Sequence, residues 1–224
     1  MDPLTSLAAA SIALVGTHFA LSHPLRAPLV AMMGEGAFRG VYSLVAAGCM
    51  AWMYLAFKQA PSADLGGSGT VGWIVATILT LPALVLFLGS LKGNPALPAP
   101  GARKAAARNP AGVFAVTRHP MMWGFALWAI SHIVLWWSWR TVIVALAILI
   151  LALIGARLQD HKKEALMGAD WAGWEQRTSY WPRWTRLAGV SPLLWLVGIA
   201  GWLGVTWLHI GAGGIPAGIW RWIG

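Results

Sequence analysis

The chain has 224 residues, of which 58% are hydrophobic and only 10% charged, with a mean hydropathy of +0.65. Soluble domains carry roughly 25% charged residues, so an ordinary water-soluble domain is excluded. The net charge of +9 would suit nucleic acid, but no nucleic-acid motif accompanies it, and a single cysteine, Cys49, excludes an intramolecular disulfide.

Apolar runs long enough to cross a hydrocarbon core of roughly 30 Å recur along the chain. In lipid the backbone must satisfy its own hydrogen bonds, so these runs are expected as helices. Six spans are predicted, at about 4–22, 38–57, 71–91, 120–137, 140–157 and 190–209. The first lacks a basic leader, because Met1-Asp2-Pro3 begins it, and it is expected to stay as a span. Cys49 lies in the second span and reads as a small packing residue. The turn Trp137-Ser138-Trp139-Arg140 joins the fourth and fifth spans into an antiparallel hairpin. The predicted fold class is therefore an all-α polytopic membrane bundle forming one domain over 1–224.

Basic residues concentrate in two connections. Loop 92–118 holds Lys92, Arg103, Lys104, Arg108 and Arg118, and segment 157–186 holds Arg157, Lys162, Lys163, Arg177, Arg183 and Arg186. Positive loops stay cytoplasmic, and both fall on one side in a six-span topology. The Pro-, Ala- and Gly-rich stretch 92–111 reads as a flexible linker. Segment 158–186 mixes Trp and apolar residues with charges, including Asp160, Glu164, Asp170 and Glu175, and reads as an amphipathic helix on the cytoplasmic face.

Ionisable groups inside a span are expensive and survive mainly where they face a partner, a cavity or a cofactor. The chain has six histidines, His18, His23, His119, His132, His161 and His209. No H-E-x-x-H, no nucleophile elbow and no phosphate-cradling Gly loop occurs. Arg118-His119-Pro120 opens the fourth span, and His132 lies inside it. His119 and His132 are 13 residues apart, about 20 Å along a helix and roughly 220° around it, so one small site does not hold both. His161 sits among charges and reads as solvated; His209 reads as a residue at an external helix end. Arg39 begins the second span, where it either snorkels to headgroups or pairs with a carboxylate.

Three blocks carry a resemblance. They are S-H-P-L-R-A-P-L-V-A-M-M-G-E-G-A-F-R-G-V-Y-S-L at 22–44, G-V-F-A-V-T-R-H-P-M-M-W-G-F-A-L-W-A-I-S-H-I-V-L-W at 112–136, and E-Q-R-T-S-Y-W-P at 175–182. Together they resemble the NnrU family of membrane proteins, which includes the plant and cyanobacterial cis-zeta-carotene isomerases. The resemblance implies a haem b protein of the bacterial inner (plasma) membrane. It assigns His23 and His132 as axial ligands and makes His119 and Arg118 supporting motif residues, with Arg39 available to a haem propionate. The implied activity is polyene isomerisation or a role in denitrification and nitric oxide metabolism. The implied partners are the lipid bilayer, a hydrophobic polyene and a membrane oxidoreductase, and no nucleic acid. The first block departs from the isomerases, with S-H-P-L in place of A-H-S-G, and is closer to the bacterial branch. The predicted spans themselves put His23 and His119 at one end and His132 beyond mid-membrane, whereas the resemblance pairs His23 with His132.

A more distant similarity is to the isoprenylcysteine carboxyl methyltransferases, which would imply S-adenosylmethionine as cofactor near Arg118 and His119. Two departures weaken it. The expected glutamate pair is broken in Q-D-H-K-K-E at 159–164, and Met122 stands where an aromatic tyrosine follows R-H-P. A non-enzymatic assembly role is the third expectation.

Overall fold

The computed structural model describes residues 1–98 and 100–223 and is helical. Its helices are α1 (Pro3–Ser22), α2 (Arg26–Gln59), α3 (Thr70–Gly89), α4 (Ala102–Ala106), α5 (Val113–Val116), α6 (Pro120–Leu135), α7 (Trp139–Met167), α8 (Ala169–Arg177), α9 (Pro192–Gly213) and α10 (Trp220–Ile223), with a 3-10 turn at Trp184–Gly189. Local chemistry sets the ends. Asp2 caps α1, accepting from the Leu4 and Thr5 amides, with Pro3 at the first helical position. Ser138 caps α7 and Ser191 caps α9, the latter again followed by proline.

Five helices, α1, α2, α3, α7 and α9, are long and apolar enough to cross a membrane. The fourth predicted span is α6, apolar but only 16 residues long. Its rise is about 24 Å, short of a roughly 30 Å core. The fold class is the predicted helical membrane bundle, with five full-length helices and one short one.

Neighbouring helices pack in the order α2, α1, α7, α6, α3, α9. The row curls, because residues of α2 and α9 line one shared cavity. Small residues let α3 sit close to both its partners. A Cβ on Gly124 of α6 would stand 2.7 Å from the Ala83 carbonyl, and one on Gly198 of α9 would stand 2.6 Å from Val85 Cγ2. Trp202 of α9 also donates its indole N–H to Thr80 Oγ1 of α3 at 2.9 Å. The main core lies around this contact, with Val85, Leu86, Val116, Trp123, Ala126 and Leu127 buried together.

Three expectations differ from the structure. Residues 26–33, expected to precede the second span as a connection, are helical, and Gly34 (φ 81, ψ 158) separates them by a kink from the part of α2 that carries the predicted span 38–57. Stretch 92–111 is packed: Ala96, Ala102 and Ala106 lie against Met167, Trp171 and Trp174. Its carbonyls accept from Gln159, Lys163 and Arg177, and Arg103 reaches the Leu166 and Met167 carbonyls and Asp170. Segment 158–186 is not a single helix. Residues up to Met167 continue α7, Gly168 (φ 56) breaks the rod, and α8 follows. The chain after α8 runs alongside α5, with Arg118 N–H donating to Ser179 O at 2.8 Å and Arg183 N–H to Val116 O at 2.8 Å.

Candidate functional site

Two polar regions lie at opposite ends of the bundle. The basic end gathers the C-terminal ends of α1, α3 and α7 and the N-terminal ends of α6 and α9. The far end gathers the C-terminal ends of α6 and α9 and the start of α7.

At the basic end, Arg118 and His119 close on Asp160 of α7. Arg118 Nε donates to both carboxylate oxygens at 3.0 Å and Nη2 donates to Oδ2 at 2.6 Å. His119 Nε2 donates to Oδ1 at 2.7 Å. Glu175 adds a second carboxylate 3.2 Å from Arg118 Nη2. Only 7% of Arg118, 2% of His119 and 3% of Asp160 is exposed. Buried charges persist when they are paired and hydrogen-bonded, and this group meets that condition. Tyr180 roofs it, with the Arg118 guanidinium 5.6 Å from its ring and its hydroxyl donating to Leu153 O at 2.7 Å. Burial, and next the Asp160 charge, hold the Tyr180 phenol above its ordinary range. The arrangement ties α6, α7 and the segment after α8 into one knot. Both predicted motif residues are spent on it.

The far end is built differently. A cavity of about 880 Å³ is walled by α2, α3, α6, α7 and α9, and its lining is mostly apolar. His132 stands on its α6 wall, with its ring 4.1 Å from that of Trp128. His132 Nδ1 lies 2.7 Å from the Trp128 carbonyl. A carbonyl only accepts, so Nδ1 carries the proton and Nε2 keeps a bare lone pair in the neutral ring. His209 repeats the pattern on α9, with Nδ1 2.8 Å from the Val205 carbonyl, and it lines the same cavity. Arg140, in the first turn of α7, donates to the Phe57 and Ala60 carbonyls and lies 4.5 Å from the Phe57 ring. Its Nε is buried and has no hydrogen-bond partner among the described residues.

His23 and His132, paired by the resemblance, are not brought together. His23 follows α1 at the basic end. Burial first, then the nearby positive charge of Lys162, hold its imidazole below its ordinary value. Lys162 follows Thr141, which shares the cavity wall with His132, by 21 residues of α7, roughly 30 Å of helix. Both nitrogens of a bis-histidine pair must bond one metal atom, so this geometry does not seat one iron on His23 and His132. Arg39 is exposed and pairs with Glu35 at 3.2 Å, while Glu35 also takes Arg26 at 2.9 Å; it meets neither polar region. Among the described residues no group of three or more His, Cys, Asp or Glu is placed to hold a metal ion.

Sequence reasoning missed three residues. Asp160 was hidden in a run of charges, and only its position on α7 shows that it faces inward. Arg140 read only as the end of the turn that joins the fourth and fifth spans. His209 had a usable signal: Gly198, Trp202, Thr206 and His209 recur at helical spacing along one side of α9.

No curated protein and no solved structure matches the chain. The sequence model of the family described as NnrU protein matches residues 6–217. The chain belongs to the NnrU family.

Proposed function

We propose that this protein binds haem in the far-end cavity, with His132 as an iron ligand. The observation that carries the reading is the His132 imidazole, its Nδ1 committed to the Trp128 carbonyl and its Nε2 left bare in an apolar cavity. A hydrogen bond of this kind, from the ring nitrogen that does not face the metal, fixes the tautomer and orientation of a metal-ligating histidine. Arg140, which lines the same cavity, supplies a positive charge for a carboxylate. These features fit a flat apolar macrocycle bearing acidic side groups. When bound, haem supplies an iron centre for redox or Lewis-acid chemistry.

The chain's own contribution is to hold the ligand nitrogen still, exclude water with apolar walls and neutralise a carboxylate with Arg140. The finer reading is a membrane factor acting on a hydrophobic polyene or in nitrogen-oxide metabolism alongside an oxidoreductase. It sits in the bacterial inner membrane with its basic end in the cytoplasm. An S-adenosylmethionine cofactor at Arg118 and His119 has less support, because both side chains are buried and paired with Asp160.

Protein purified in mild detergent is expected to show a Soret band that shifts on reduction with dithionite. His132→Ala is expected to lose that band or retain haem only weakly. No Soret band in the wild-type protein, even after adding hemin, overturns the reading. An unchanged spectrum in His132→Ala removes His132 from it.

A further inference from the structure

We infer that His209 is the second axial ligand, opposite His132. The inference rests on the haem reading above and assigns a residue that neither the motif blocks nor the family resemblance points to.

The depth of the two histidines argues for it. α6 and α9 run in the same direction and both pack on α3. Their glycine contacts meet α3 at one level: Gly124 lies against Ala83 and Phe87, and Gly198 lies against Val85. His132 is 8 residues beyond Gly124, about 12 Å. His209 is 11 residues beyond Gly198, about 16 Å. The two therefore stand within about 5 Å of the same depth, allowing for a 1.5 Å rise per residue. Both line the one cavity, from two different walls.

Their hydrogen bonding argues for it too. Each imidazole gives its Nδ1 proton to the carbonyl four residues earlier on its own helix. Each is thus fixed in the tautomer that offers Nε2. The α3 wall of the cavity includes the short side chains Ala76, Thr77, Thr80 and Ala83 beside the larger Trp73, Leu84 and Phe87. His23 and His119 offer no such alternative, because both lie at the basic end and neither lines the cavity.

The test is the low-temperature electron paramagnetic resonance and optical spectrum of the full chain loaded with hemin. The wild-type protein is expected to be ferric low-spin. His209→Ala is expected to keep haem but turn high-spin, and millimolar imidazole is expected to restore the low-spin signal. His209→Met is expected to stay six-coordinate with shifted bands, which guards against a folding defect in the alanine variant. His23→Ala is expected to leave the spectrum unchanged. An unaltered low-spin signal in His209→Ala, or a high-spin wild-type protein, overturns the assignment while leaving the haem reading in place. A wild-type protein that takes up no hemin overturns the haem reading and this assignment together.

Discussion

The two ends of this molecule treat buried polar groups in opposite ways. At the basic end, the Arg118 and His119 bonds converge on Asp160, and Glu175 closes the set. At the far end, His132, His209 and Arg140 each satisfy one polar atom with a backbone carbonyl and leave another without a protein partner assigned to it. Side chains paired with one another make a joint: even with His119 Nδ1 left over, the group is buried and holds helices in place. Side chains anchored to backbone carbonyls make a site, because His132, His209 and Arg140 all line one cavity. The most prominent motif of the sequence, R-H-P, falls in the first class, and the least prominent histidine, His209, in the second.

Breaking the basic end is expected to have the largest effect. Asp160→Ala leaves the buried Arg118 guanidinium with Glu175 alone and takes away the carboxylate partner of His119, and a loss of about 3–5 kcal/mol is expected, read as a large drop in the thermal midpoint of the detergent-solubilised protein. A midpoint within a degree of wild type would show that the knot is not structural. At the far end, His132→Ala in hemin-free protein removes one modest hydrogen bond, for about 1 kcal/mol. Its effect on hemin retention is expected to be far greater than its effect on unfolding, and equal effects would erase the contrast between the ends. Trp202→Phe deletes the indole bond to Thr80 between α9 and α3. Interhelical bonds in membranes average about 0.6 kcal/mol, so a small destabilisation is expected in a double-mutant cycle with Thr80→Val. Arg39→Ala is expected to change stability by less than about 0.5 kcal/mol, since its pairing with Glu35 is solvent-exposed. A larger change would mean that Arg39 meets something other than Glu35.

The bundle was legible because lipid forces its signal: apolar runs of span length have few structural alternatives. Where the reading slipped, the reason is local. Gly34 hides the start of α2, because a helix bent at a positive-φ glycine joins two segments of different character into one. Gly168 hides the end of α7 in the same way, so Asp160 read as part of a surface helix although it belongs to a span's inner face. The candidate site was half legible. His132 stood out by its cost in an apolar helix. Its partner wall did not, because the alignment of α6 with α9 depends on glycine contacts to α3 that lie 41 residues away for Gly124 and 113 for Gly198. The separation of His23 from His132 is likewise a tertiary fact.

The short length of α6 reaches beyond the protein into its surroundings. Sixteen residues leave about 6 Å of an average hydrocarbon core unmatched. A bilayer meets such a mismatch by thinning locally, at fractions of a kcal/mol per Å. Lipid headgroups are then drawn down towards the turn after Leu135, beside the wall that carries His132. Bilayer thickness becomes a control on this protein: short-chain lipids relieve the strain around α6, and long-chain lipids increase it. Hemin uptake in vesicles of graded acyl-chain length is expected to be fastest in the thinnest membranes.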